Sequence, residues 1–377
     1  MSKIKVVIGE KNLNIGGTQR LAIDQLTLLD KSIFDVYLIT LSHVSFQGDF
    51  YDLVPPGVAV HRLDFKNWHD ISEWSKLIAL FRRIRPDIVK SSGFFGNAIF
   101  RTLQPFFGFR AIAAEYGTVP KRSVLHRLIN KILDRVTYTT IGDSKKVVAA
   151  LADSAGYSPE KLTVIYNGVD LAAIEKSQCV YGPERESIRR EFGIGTSDVV
   201  FLCIARFIYQ KNHSLMIDAF AEAARSRADF RLVLVGDGAL REPTLRHAEE
   251  LSVQNRVIMV GERKDLHRFY SMSDFFLMTS RYEGFSIVSM EGMAFGLPLL
   301  STRVAGICEY LADGNNGFFL EPEPHDIAEK MLKIAALSKE ELYSMKERAK
   351  RTADGFSLER YANACNQLFI KAAQHTS

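Results

Sequence analysis

The sequence predicts an α/β fold made of two doubly wound parallel sheets, one in each of two domains. Three observations predict it. Short apolar runs alternate with amphipathic stretches of about 10–15 residues, the pattern of parallel strands covered by helices on both faces. The chain has 377 residues, beyond the range of about 100–200 usual for one domain. The alternation breaks over residues 171–197 and then restarts. The composition, 47% apolar and 24% charged, is that of an ordinary globular protein and excludes a disordered or collagen-like chain.

In the first half, Val6–Ile8 reads as a strand, followed by a glycine-containing loop and a helix near Gln19–Leu29. Val36–Leu41 and Val58–His61 follow as strands. Asp70–Arg85 is an amphipathic helix stopped by Pro86, which cannot continue it. Asp87–Val89, Arg110–Ala114, Val136–Thr140 and Leu162–Tyr166 are further strands, with a helix over Asp143–Ser154 and a closing turn at Asn167-Gly168. The charged stretch 171–197 carries a glycine–proline pair and no strong strand, and the domain boundary is placed there. Val199–Ala205 is apolar throughout and reads as a buried strand. A helix over His213–Ala224 follows, then strands at Arg231–Val235, Arg256–Val260, Asp274–Met278 and Pro298–Ser301. The tail is helical over Ser338–Thr352 and Leu358–Ala373. The domains are therefore set at 1–170 and 171–357, with the terminal helix 358–377 expected to cross back to the first. Two such sheets imply a cleft, with ligands at the carboxyl ends of the strands.

Charge is uneven. Residues 76–146 carry 14 Lys and Arg against 4 Asp and Glu. This favours an anionic surface or ligand, or forms a solvated face. The four cysteines, at 179, 203, 308 and 365, have no CxxC spacing, so neither a zinc knuckle nor a redox dithiol is indicated. Cys203 and Cys308 are expected as small core residues. Lys3–Ile8 reads directly as a strand rather than a secretory signal, and no apolar stretch is long enough to span a bilayer. A cytoplasmic protein is expected, with peripheral attachment to the inner face of the membrane left open.

Three groups of residues carry chemistry. The segment Tyr282-Glu283-Gly284-Phe285-Ser286-Ile287 follows a strand and leads into a helix bearing Glu291. The first N–H groups of such a helix lack intrahelical partners and can hold an anion. A glycine at 284 lets the backbone approach a ligand. Carboxylates at 283 and 291 can each accept hydrogen bonds from hydroxyls. Two glutamates eight apart are common on surface helices. Here, however, Glu291 opens the run Gly-Met-Ala-Phe-Gly-Leu-Pro-Leu-Leu, where a charge needs a partner. Arg206 and Lys211 follow the buried strand and could clamp a diphosphate, Arg by its fork and Lys as a point charge. Gly16-Gly17-Thr18 lies between the first strand and helix. Its spacing matches neither GxGxxG nor GxxxxGK[ST], which argues against an NAD enzyme and a P-loop NTPase. Gly236-Asp237-Gly238 either borders a base or is a tight turn.

In this order, the elements Gly16-Gly17-Thr18-Gln19-Arg20, Asn167-Gly168-Val169-Asp170, Arg206 with Lys211, Gly236-Asp237-Gly238 and Glu283 with Glu291 resemble the retaining glycosyltransferases of family 4 (glycosyl transferases group 1), many of which assemble bacterial polysaccharides and glycans. The resemblance covers essentially the whole chain. It implies the GT-B fold, two Rossmann-like domains facing a cleft, the first on the acceptor side and the second binding the donor. It implies transfer of a hexose or N-acetylhexosamine from a nucleotide sugar, UDP-sugar ahead of GDP-sugar, to a saccharide hydroxyl. Arg206 and Lys211 would hold the diphosphate, and Glu283 the transferred sugar. The backbone of Gly284, Phe285, Ser286 and Ile287 would hold sugar hydroxyls and phosphate, and Glu291 the ribose. Gly16 and Gly17 would lie across the cleft. Gly236, Arg263 and Lys264 would lie near the base. With these side-chain cations and no Asp-x-Asp pair in place, no metal or other cofactor is expected.

One departure stands out. Where many members carry a histidine, this chain reads Ala114-Glu115-Tyr116-Gly117-Thr118, so that Glu115 or Tyr116 takes over sugar or acceptor contacts or the loop simply differs. A helix over Lys121–Val136 carries Val124, Leu125, Leu128, Ile129, Ile132 and Leu133 with five cations. Its stripe packs on the sheet, or the helix lies on an anionic bilayer. The family tilts the acceptor toward a lipid-linked, polyprenyl-diphosphate-type saccharide at an anionic membrane surface. Nucleic acid is not expected, because no binding module accompanies the charge. A nucleotide-sugar epimerase of similar fold and a non-enzymatic peripheral membrane nucleotide-sugar-binding protein remain as rivals.

Overall fold

The computed structural model describes residues 3–42, 48–117 and 123–374. Thr118 of the departing loop, and Lys121 and Arg122 of the basic helix, lie outside the described residues. The chain divides into two units, residues 1–168 with 358–377, and residues 169–357.

Among its described residues the first unit holds seven parallel strands: β1 (Ile4–Glu10), β2 (Phe34–Thr40), β3 (Ala59–Arg62), β4 (Ile88–Ser92), β5 (Arg110–Glu115), β6 (Thr137–Gly142) and β7 (Leu162–Val164), in the order β3-β2-β1-β4-β5-β6-β7. The central strands are buried on both faces; β1 and β5 carry apolar middles that read as strands, whereas β4 ends in the buried polar residues Lys90, Ser91 and Ser92. The helix Ile71–Ile84 starts where the Asp70 side chain accepts from the Glu73 N–H and stops at Arg85, which takes a left-handed conformation (φ 51°) before Pro86. The terminal helix Leu358–Gln374 packs on the helix Gly17–Leu28 and on β4, burying Tyr361, Cys365, Phe369 and Ala372.

The second unit holds six parallel strands: β8 (Val199–Ile204), β9 (Phe230–Val235), β10 (Val257–Gly261), β11 (Phe275–Met278), β12 (Leu299–Thr302) and β13 (Gly317–Leu320), ordered β10-β9-β8-β11-β12-β13. In both sheets the order reverses beside the first strand, at β1/β4 and at β8/β11. In open α/β sheets, ligands bind at such switch points, beyond the carboxyl ends of the strands.

The structure differs from the sequence reading in four places. Residues 171–197, where the domain boundary was placed, are helical. They form the helices Leu171–Tyr181 and Arg185–Glu191 within the second unit. Arg185 and Arg189 both pair with Asp274, at 2.6 and 2.8 Å, so two of the charges in that stretch are anchors. Asp274 itself lies just outside β11 and also accepts from the Val200 N–H at 2.8 Å. Strand β13 and the helix Pro324–Ala335 were not anticipated. The basic helix runs over Val124–Leu133, and its stripe is split. Ile129 and Leu133 are half-buried, whereas Val124, Leu125, Leu128 and Ile132 face outward. Of the two cysteines expected in the core, Cys203 is buried and Cys308 half-buried.

Candidate active site

The site of the second unit grows from two adjacent strands. β8 and β11 pair in parallel, so the loops leaving their carboxyl ends are neighbours although about 70 residues separate them. After β8 the ladder continues, Phe207 N–H donating to the Asp237 carbonyl at 2.9 Å. Phe207 turns into the core, and the alternation of an extended chain leaves Arg206 exposed. A single tight turn, Tyr209–Lys211, then ends at Asn212 in a left-handed conformation (φ 54°), and the helix His213–Ser226 begins.

The loop after β11 is stitched to this turn. Arg281 N–H donates to the Gln210 carbonyl at 2.8 Å, and Gln210 Nε2 donates to the Tyr282 carbonyl at 2.9 Å. Arg281 Nη2 donates to Asn212 Oδ1 at 2.8 Å, and Thr279 Oγ1 donates to the Asn212 carbonyl at 3.1 Å. The result brings Lys211 Nζ into an ion pair with Glu283 Oε1, to which Ser280 Oγ also donates at 3.0 Å. The two side chains keep 16% and 10% of their exposure. In that setting each charge needs the other, because an unpaired buried charge is costly.

Beyond Glu283, Ser286 sits at the entry to the helix Ile287–Ala294 without capping it, since its hydroxyl turns toward the Met278 sulfur at 3.7 Å. The first N–H groups of that helix therefore have no side-chain cap. Glu291, just over one turn on, accepts from the Tyr270 hydroxyl at 2.8 Å. Burial and the adjacent Glu291 carboxylate hold that hydroxyl protonated well above its usual range, so it remains a donor. Burial, with Lys211 nearby, pulls His213 down to about 4, and its ring stacks on Phe207 at 4.2 Å. Burial pushes the Cys203 thiol up to about 12, so it stays an unreactive thiol at neutral pH.

Lys211, Glu283, the Gly284–Ile287 backbone and Glu291 thus lie along one loop-and-helix arrangement, with Arg206 exposed at the end of the neighbouring strand. Gly236 and Gly238 serve backbone packing. Both have positive φ (136° and 150°), and a Cβ at either would run into the carbonyl of Ala205 or Phe207. Arg263 is held by Asp265 through two hydrogen bonds of 2.8 and 2.7 Å, while Lys264 is exposed. Gly16 and Gly17 belong to the first unit, where Gly16 precedes the helix Gly17–Leu28 and that helix also lacks a side-chain cap.

Glu115 is not poised for a ligand. It is buried and accepts from Asn97 Nδ2 at 3.0 Å and from the Tyr157 hydroxyl at 2.7 Å, inside a packed polar network. Tyr116 is half-buried under the Lys90 ammonium, whose nitrogen lies 5.6 Å from the ring centre. Sequence reasoning gave no role to Gln210, Asn212 or Tyr270, and read Thr279-Ser280-Arg281 only as the polar loop after the strand, without the contacts of Ser280 and Arg281. Among the described residues, no group of three or more His, Cys, Asp or Glu is placed to hold a metal ion.

Comparison with known proteins agrees with this architecture. Residues 15–173 match the family described as Glycosyltransferase Family 4, and residues 184–352 match Glycosyl transferases group 1. The chain is 27% identical over 223 residues to N-acetyl-alpha-D-glucosaminyl L-malate synthase of Bacillus anthracis, covering 59% of this chain and 54% of that protein. It is 26% identical over 234 residues to N-acetylgalactosamine-N,N'-diacetylbacillosaminyl-diphospho-undecaprenol 4-alpha-N-acetylgalactosaminyltransferase of Campylobacter jejuni, covering 61% and 60%. The chain thus spans little more than half the length of these relatives. Among solved structures, Anabaena Alr3699/HepE in complex with UDP-glucose superposes with a TM-score of 0.80 at 18% identity, covering 99% of this chain and 100% of that one. Two Rossmann-like units, each with a parallel sheet reversing at its first strand, and two family matches that together run from residue 15 to residue 352 lead to one conclusion: the chain belongs to the GT-B glycosyltransferases of the family 4/group 1 superfamily.

Proposed function

We propose that the protein is a retaining hexosyltransferase. It moves a hexose or N-acetylhexosamine from a UDP-sugar to a hydroxyl of a lipid-linked saccharide, working at an anionic membrane surface on the cytoplasmic side, in cell-surface glycan assembly. The observation that carries this reading is the Lys211–Glu283 pair at the β8/β11 switch point, with Arg206 exposed beside it and an uncapped helix start behind it.

The second unit is the donor domain in this reading. Arg206 and Lys211 take the diphosphate, and the first N–H groups of the helix Ile287–Ala294 face it. Glu283 meets the transferred sugar, and Glu291, steadied by Tyr270, accepts from the ribose hydroxyls. Gly16 and Gly17, on the acceptor-side unit, serve the acceptor and the phosphates. As the bond from the sugar C1 to phosphate breaks, negative charge grows on the leaving oxygen, and fixed cations are most effective there. The acceptor oxygen bonds to C1 on the face being vacated, and its proton passes to the leaving phosphate oxygen. Support for a lipid-linked acceptor comes from the undecaprenol-linked substrate in the name of the Campylobacter relative. Support for UDP comes from the nucleotide in the Anabaena complex.

Calorimetry with UDP and GDP tests the donor class. Micromolar UDP binding is expected, lost in an Arg206→Ala/Lys211→Ala variant. Glu283→Ala should lower transfer by about 100-fold or more with UDP binding nearly intact, and Glu291→Ala should chiefly weaken UDP. Near-normal transfer by both glutamate variants at limiting donor would sink the assignment.

A further inference from the structure

We propose that the second unit carries a further anion site, a pocket at the amino ends of β11 and β12 that takes a small phosphate-bearing molecule on Lys346. The site goes beyond the donor reading and does not depend on it: the donor loops leave the carboxyl ends of the strands, and this pocket lies at the amino ends.

The pocket has a volume of about 250 Å³. One wall forms where the chain enters two neighbouring strands. Ser271 and Ser273 come just before β11, and Gly296 and Leu297 just before β12. The helix Lys339–Asp354 supplies another wall. It presents Tyr343, Lys346 and Lys350, spaced three and four apart and so on one face, with Glu347 beside them. Arg185, at the start of the helix Arg185–Glu191, also lines the space.

Two of the three lining cations already have work. Arg185 pairs with Asp274 and donates to the Ser271 and Ser273 carbonyls at 2.6 and 2.9 Å. Lys350 pairs with Glu347 at 3.1 Å. Its stem lies across Gly296, where a Cβ would stand 2.8 Å from Lys350 Cε, at the carboxyl end of the helix Ile287–Ala294. A cation suits that end of a helix. Lys346 has no such duty. It is half-buried and makes no hydrogen bond or ion pair among the described residues. Burial pulls its pKa below the ordinary lysine value; Asp274 opposes this, and the Arg185, Arg189 and Lys350 cations add to it. Asp274 is already shared by Arg185 and Arg189. Around Lys346, then, the four cations Arg185, Arg189, Lys346 and Lys350 face the two carboxylates of Asp274 and Glu347. The missing neighbour is an anion. On the same wall the buried Ser271 hydroxyl also lacks a hydrogen-bond partner.

Size and charge define the ligand class. The volume falls below the range of about 300–1,000 Å³ usual for drug-sized ligands. That excludes a nucleotide sugar and leaves room for phosphate or a compact phosphate ester. A phosphate monoester carries a charge of about −1.5 to −2 at pH 7, which offsets the local excess of cations. Lysine meets such a group as a point charge.

The test is titration calorimetry with inorganic phosphate, at an ionic strength held constant with sodium chloride. It uses the Arg206→Ala/Lys211→Ala variant, which lacks the cations of the donor loops, so the result stands whether or not UDP is the donor nucleotide. Phosphate should bind this protein at one site. Adding Lys346→Gln should weaken it by at least about 10-fold, the scale of one hydrogen bond to a charged group. Urea unfolding without phosphate checks the fold of both proteins. Lys346→Gln removes one of the crowded cations, so the midpoint should not fall. Phosphate should also raise the midpoint of the protein that keeps Lys346, where sodium chloride at equal ionic strength does not. Absence of phosphate binding while Lys346 is present, or binding that survives Lys346→Gln, would overturn the site.

Discussion

Lys211 and Glu283 each occupy a position the sequence marked, but their pairing was not legible, because it depends on β8 and β11 becoming neighbours in the sheet. Their places after two strands marked the residues and the resemblance to a family gave them roles; the strand order supplied the contact. His213 shows the reverse case, a residue whose chemistry follows only from burial. Its imidazole sits on Phe207, Nδ1 has no hydrogen-bond partner, and the nearby Lys211 cation further disfavours protonation. The folded value of about 4 lies below the ordinary value of 6.5. The unfolded chain therefore binds a proton first as the pH falls, and the contribution of His213 to stability is complete above pH 6.5 and lost on the way down to about 4. Urea unfolding across that window should show native stability falling by up to about 3 kcal/mol more than that of a His213→Gln variant. Parallel curves for the two proteins would mean that the imidazole is protonated in the fold.

The long apolar strands were readable because burial on both faces leaves little room for polar residues, as in β8. Short elements were not: β13 is four residues, Gly317–Leu320, too few for any period to show. Periodicity has a second blind spot. It revealed an apolar stripe on the helix Val124–Leu133 but not which half of it faces outward, since that depends on what the rest of the chain places beneath. The helices within 171–197 were not legible for a third reason, that a run of charges shows no inward face until its partner is known. That partner is Asp274, which ties the helix Arg185–Glu191 to the start of β11 and to β8. Arg189 is almost fully buried, so removing the carboxylate strands its charge. Asp274→Ala should destabilise the second unit by about 3–5 kcal/mol, measured by urea unfolding. A change of less than about 1 kcal/mol, the scale of an exposed pair, would show the anchor to be superficial.

The two units are unequal as pieces of chain. The second is contiguous, residues 169–357, with its own six-stranded sheet and buried core. The first is split, and its final helix brings Phe369 edge-on against Phe34 at 6.1 Å, with Tyr361, Cys365 and Ala372 buried alongside. A fragment of residues 169–357 should therefore unfold cooperatively on its own. A fragment of residues 1–168 should keep secondary structure but lose sharp tertiary signals, regaining them when a peptide of residues 358–374 is added. Near-UV circular dichroism and urea unfolding check both; a cooperative 1–168 fragment indifferent to the peptide would make the terminal helix a passenger. The returning helix also sets an order in time. Domains generally form as synthesis proceeds, amino-terminal ones first. Here the strands β1–β7 are made before the helix Leu358–Gln374 that covers them, while the second unit, made in between, is complete before that helix appears. Of the two units, the one that emerges first is finished last.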